Sequence, residues 1–135
     1  MIEQKLYREI VDKMPILCVD CIVYHDYKYL LLKRKNEPLK GMLWVPGGRV
    51  LKGETAEEAV HRIMKKETGL DVTIEGFKGY YEDYFERNDV GVDLKHTVSL
   101  VFMVRPKNTN VVLDEQSSGY KWSDNIPYKL RKGIK

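Results

Sequence analysis

Two neighbouring stretches hold the residues best suited to chemistry, "PGGRVLKGE" (46–54) and "HRIMKKETGL" (61–70). The first is glycine-rich and basic, a backbone that lets phosphate oxygens approach closely. The second carries two lysines, an arginine and a histidine, but a single acid, Glu67. A site that gathers several divalent ions needs several carboxylates, so one acid in a phosphate-handling segment calls for an explanation. The local pattern supplies a first one. Thr55 followed by Glu58 reads as a capping box opening a helix over 56–68, with Gly69 as its C-terminal cap and Lys65 and Lys66 favourable in its last turn. Its apolar stripe runs Ala56, Ala59, Val60, Ile63 and Met64, and the next residue on that stripe is Glu67. An acid turned inward costs several kcal/mol if unpaired, so Glu67 needs a cation, either an arginine or a metal.

The elements that must position these residues follow from periodicity and punctuation. Leu6, Ile10 and Met14 form a helical stripe over 3–14, stopped by Pro15. "ILCVDCIVY" (16–24) reads as a mostly buried strand, "HDYK" as a turn, and "YLLLKRK" (29–35) as the hairpin partner. "LWVPGG" is a short strand ending in a break. Strands are predicted over about 72–87 and 96–105, joined by the polar loop "NDVGVD". "DEQSSG" is a further loop, "YKWSD" (120–124) a short strand, and the tail one more helical turn. Mixed strands with two or three helices make a layered α+β or α/β sandwich.

A chain of 135 residues is expected to form one domain, 1–135, able to bury its own core. Its 43% hydrophobic and 32% charged content is that of a soluble globular protein. No apolar run approaches the roughly 20 residues of a membrane span. The N-terminal stretch lacks the features of a signal peptide, and with two cysteines a reducing cytoplasm is the expected location. A net charge of +3 suits anionic ligands but is too small to argue for nucleic acid.

The order from Gly48 to Leu70 resembles the Nudix box, G-x5-E-x7-R-E-U-x-E-E-x-G-U with U aliphatic. Gly48, Glu54, Arg62, Glu67, Gly69 and Leu70 fall on their slots, and Met64 is the first aliphatic position. Two acids are replaced, one by Ile63 and one by Lys66. The same acids are missing from the GDP-mannose mannosyl hydrolase branch, which the chain resembles from about residue 15 to Trp122 through "CVDCIV", "LLLKRKNEPLKGMLWVPGGRV" and "DEQSSGYKW". That resemblance implies the Nudix α/β/α sandwich with a mixed β-sheet, the box helix on one side and further helices on the other. It implies one Mg2+ per site, with Mn2+ as a substitute, held by Glu67, a main-chain carbonyl at Gly48 and the side-chain oxygen of Gln116. Arg34 and Arg49 match phosphate-contacting arginines, Arg62 another functional arginine, and Asp20 a sugar-side acid. The implied reaction is attack at the anomeric carbon of a nucleoside diphosphate sugar, GDP-mannose first among them, releasing sugar and GDP. The implied assembly is a homodimer, with no nucleic acid or membrane partner.

One slot departs from the branch. After Gln116 the branch carries a histidine as general base, and this chain has Ser117, whose hydroxyl has no useful basicity near neutral pH. His96 is a substitute candidate, and Glu82, Glu86, Asp89 and Asp93 lie in or near a loop that would cover the site. Two alternatives therefore stand beside the leading reading. One is a nucleotide or nucleotide-sugar pyrophosphatase attacking phosphorus, and the other a non-catalytic Nudix domain that binds nucleotide sugars.

Plainer readings exist for individual residues. Glu54 suits a helix N-terminus on dipole grounds alone, and Arg62 could pair with Glu58 one turn back. Cys18 and Cys21, three apart on a strand, face opposite ways and suit small packing roles. Tyr80, Tyr84 and Trp44 could stack on a base or sugar, or simply pack against their neighbours.

Overall fold

The computed structural model describes residues 2–135. Helix α1 (Gln4–Lys13) precedes strand β1 (Ile16–His25), which turns through Asp26 and Tyr27 into β2 (Lys28–Arg34). Both turn residues have positive φ, the backbone that a tight hairpin demands. Short strands β3 (Leu43–Trp44) and β4 (Gly47–Arg49) lie either side of the break at Pro46. Helix α2 (Ala56–Thr68), long strands β5 (Val72–Phe85) and β6 (Lys95–Pro106), strand β7 (Ser117–Ser123) and helix α3 (Tyr128–Gly133) complete the chain.

The sheet is mixed. Its main path runs β3-β2-β1-β6-β5, with β4 paired to β1 and β7 to β2. β1 and β6 are parallel, and every other pairing is antiparallel. The apolar stripe of α2 packs on Val19, Cys21, Val23, Leu30, Leu32, Phe102 and Val104. The opposite sheet face, with Ile22, Leu31, Trp44 and Val101, is covered by Leu130 of α3, while Val11 of α1 covers Ile16. This is the expected sandwich of one helix on one side and further helices on the other.

Two expectations shift in detail. "LWVPGG" forms two strands rather than one, because β4 leaves β3 to pair with β1. In α1 the buried residue is Val11, flanked by Tyr7 and Ile10, while Leu6 and Met14 are exposed. The turn at Val90–Val92 seats this helix, and Arg8 donates to the carbonyls of Val90 and Gly91 at 3.1 Å each. No helix among the described residues is long and apolar enough to cross a membrane.

Candidate functional site

β1 and β2 pair only at their hairpin end, Tyr24 with Tyr29 and His25 with Lys28. At the other end β4 lies beside β1, setting Gly47 against Asp20, Gly48 against Val19 and Arg49 against Cys18. This insertion opens a cleft of about 310 Å³. Arg34, Gly48, Arg49, Lys66, Glu67 and Gln116 line one side of it. The floor comes from β1, β5 and β6 through Asp20, Tyr81, Asp83, Thr97 and Ser99.

The box is held by its own side chains. Thr55 and Glu58 form the capping box, and Gly69 ends α2 in the left-handed conformation. Arg62 pairs with Glu54, not Glu58. Its Nε lies 2.7 Å from Glu54 Oε2, and its Nη2 donates to Glu54 Oε1 and to the Arg49 carbonyl. Glu58 instead turns back to the helix start, where its carboxylate accepts the Thr55 amide. Glu54 also accepts the Leu51 amide at 3.0 Å, so the Glu54–Arg62 pair ties the loop 49–54 to α2. Most of the Arg62 donors are thereby committed to the fold, although the residue borders the cleft.

Glu67 faces inward as its place on the stripe predicts, at the foot of Gly47 and Gly48. The Gly47 amide donates to its Oε1 at 3.2 Å. Among the described residues Glu67 enters no ion pair with a lysine or arginine. Burial pushes its carboxyl up to about 7, with the charge of Asp114 acting the same way and the Gly47 amide opposing. A Cβ on Gly47 would collide with Asp20 Oδ1 and come within 2.7 Å of the Val19 carbonyl, so only glycine fits there. Asp20 is buried against Tyr81, whose hydroxyl donates to it. Burial pushes the Asp20 carboxyl up to about 6, and hydrogen bonds from Tyr81 and Trp44 oppose the shift.

Two features test whether a divalent cation fits beside Glu67. The carboxylate there is turned inward and half-buried, and among the described residues it enters no ion pair. One buried side-chain oxygen, Oδ2 of Asp114, has no hydrogen-bond partner. Among the described residues no three His, Cys, Asp or Glu side chains converge. The residues at this place are therefore mixed, the Glu67 carboxylate sharing the cleft with Gly48 and Gln116. That set fits a hard cation whose remaining ligands come from phosphate oxygens and water.

Arg34 borders the cleft with its Nε donating to the Pro38 carbonyl, and Arg49 lies over the Tyr7 ring at 4.5 Å. Gln116 borders it at the start of β7, where its carbonyl accepts the Lys35 amide. Three other candidates are not brought to the cleft. Tyr80, Tyr84 and His96 lie on the opposite face of the β5–β6 pair. There Tyr84 stacks on His96 at 4.5 Å and His96 Nε2 lies 3.0 Å from Glu82. The residues paired next to them, Tyr81 with Ser99 and Asp83 with Thr97, take the cleft face instead. Of the loop acids only Asp89 borders the cleft, bound to Lys95 at 2.9 Å. Trp44 also borders the cleft, but it is buried and packs in the core with Leu31 and Val45. Cys21 is buried in the core, and burial pushes the Cys18 thiol up to about 12, so neither is a reactive thiolate. The sequence reading missed Tyr81, Asp83, Lys66 and Asp114. Lys66 was visible as the replaced box acid, but the other three depend on pairings between distant segments.

With this geometry in place, the profile of the NUDIX domain matches residues 14–125. The chain belongs to the Nudix family. It is 39% identical over 116 residues to the low-salt glycan biosynthesis protein Agl8 of Haloferax volcanii, covering 85% of this chain and 74% of that one. It is 44% identical over 90 residues to an ADP-ribose pyrophosphatase of Methanocaldococcus jannaschii, covering 67% of this chain and 50% of the relative. Among solved structures, a MutT protein from Methanosarcina mazei Go1 superposes with a TM-score of 0.73 at 22% identity, covering 89% of this chain and 91% of that one. At that identity the likeness concerns the fold. The chain is thus a Nudix hydrolase, of a family that acts on nucleotide-derived substrates and generally uses divalent metals such as Mg2+.

Proposed function

We propose that this Nudix hydrolase cleaves a nucleoside diphosphate sugar with one divalent cation, Mg2+, breaking the sugar C–O bond and releasing intact nucleoside diphosphate. The observation that carries this reading is the charge pattern of the cleft. Glu67 is the one carboxylate the box directs to it, and Arg34, Arg49 and Lys66 stand around it. Glu54 is engaged by Arg62, and Ile63 is in the core. Such a wall is suited to holding a diphosphate as leaving group. Glu67, the Gly48 carbonyl and the Gln116 side chain would hold the cation, which when bound supplies positive charge to the diphosphate oxygens. Arg34 and Arg49 would bind the same oxygens and neutralise the charge that grows as the C–O bond breaks. On the floor, Asp20 would orient the sugar hydroxyls. With its carboxyl pushed to about 6, it can also take a proton from attacking water near neutral pH. The names of two relatives fit this class, since ADP-ribose is itself a nucleoside diphosphate joined to a sugar and the other relative is named for glycan biosynthesis.

A second reading, attack at phosphorus, is favoured by Ser117 in the base slot and by the relative named as a pyrophosphatase. Both are tested by incubating the chain with Mg2+ and a set of nucleoside diphosphate sugars, GDP-mannose first, and resolving products by phosphorus NMR. Free sugar with intact nucleoside diphosphate supports the leading reading. Nucleoside monophosphate with sugar 1-phosphate supports the second. Turnover that survives Glu67→Gln would sink the role given to that carboxylate in either.

A further inference from the structure

The loop before β7 carries an acid that the box motif does not include. Residues 111–113 run along the end of α2. The Val112 amide donates to the Thr68 carbonyl at 2.8 Å, Gly69 packs against Val112, and Val111 and Leu113 pack on the α2 core. This anchoring brings the segment that leads into Asp114 to the end of α2, where Thr68, whose carbonyl holds Val112, directly follows Glu67. One oxygen of Asp114 is used, Oδ1 accepting the Gln116 amide at 3.1 Å. The other, Oδ2, is buried with no hydrogen-bond partner. A buried carboxylate oxygen without a partner, near a second carboxylate that enters no ion pair, is unfavourable, and a positive charge between them would relieve both.

We propose that Asp114 is a second carboxylate donor to the divalent cation at Glu67, with Oδ2 directed at the ion while Oδ1 fixes the loop that presents Gln116. This rests on the single-cation reading above and deepens it: the lost box acids are partly replaced by an acid from a different element. The site then has two protein carboxylates, one on α2 and one on the loop before β7, so cation binding also fastens that loop over the cleft.

The test is Mn2+ binding to the full chain, followed by electron paramagnetic resonance without substrate, with thermal melts in chelator and in Mn2+. Asp114→Asn keeps the oxygen that accepts the Gln116 amide but removes the charge. It is expected to weaken Mn2+ binding by about 10- to 100-fold. The chelator-treated variant should melt no lower than the parent, and most of the metal-induced rise in Tm should vanish. Asp114→Ser, whose hydroxyl can also accept that amide, gives the same reading should the asparagine variant fold poorly. Mn2+ affinity within two-fold of the parent in a folded variant, while Glu67→Gln loses it, overturns the role of Asp114 alone. Affinity unchanged in Glu67→Gln as well overturns the cation reading beneath it.

Discussion

Glu67 concentrates the physics of this site in one side chain. Burial lifts its carboxyl from 4.5 to about 7. The metal-free folded chain therefore holds that proton more tightly than the unfolded chain does. Its contribution to stability is fully present below about pH 4.5 and is lost as pH rises towards 7. Denaturant melts in chelator should accordingly show stability falling across that window. Glu67→Gln should flatten the fall and leave the variant more stable than the parent by roughly 2–3 kcal/mol at pH 8. A parent whose stability rises over that window would contradict the assignment. Gly47 makes a second residue-scale case. Gly47→Ala drives a methyl into Asp20 and the Val19 carbonyl, so a loss of about 1–3 kcal/mol is expected in the same melts. Turnover should fall further than stability accounts for, because Asp20 must move.

Helix α2 shows what a local element contributes. Its bounds, capping box, glycine cap and buried stripe were legible in the sequence because each depends on residues within one or two turns. Thr55→Ala removes a cap oxygen from the Glu58 amide and should cost about 1 kcal/mol in chemical denaturation. Ile63→Glu restores the acid of the family box, yet Ile63 is buried and packs close to Gly48. Restoring the motif should thus destabilise the chain by several kcal/mol rather than add a metal ligand, which melts with and without Mg2+ will check. Strand β5 was legible as a strand but not in its facing. Two register shifts, between Ile74 and Gly76 and between Phe77 and Gly79, interrupt its pairing with β6. Alternation read along the sequence therefore cannot say which tyrosine meets the cleft. Tyr81 does, and Tyr80 and Tyr84 do not. Helix α1 was found for the same local reason as α2, but its buried face is set by the distant turn at Val90–Val92.

At the scale of the molecule, the cleft exists because β4 separates β1 from β2 and brings the box glycines onto the same wall as Glu67. The layered fold and the box were readable from spacing and resemblance. Of the floor only Asp20 was readable, through the resemblance, since Tyr81 and Asp83 join it only when β1, β6 and β5 pair. Nor was the approach of Asp114 to α2, which the contact between Val112 and Thr68 makes. Lys129 of α3 holds Asp83 at 3.0 Å, so even the last helix bears on the cleft. The central claim is that this assembled cleft binds a diphosphate as leaving group and cleaves the bond to the sugar. The most direct test follows hydrolysis of a nucleoside diphosphate sugar with Mg2+ in water enriched in oxygen-18. Label in the released sugar, with unlabelled nucleoside diphosphate, is the expected result. Label in a phosphate of nucleoside monophosphate or sugar 1-phosphate would contradict it and place the attack at phosphorus.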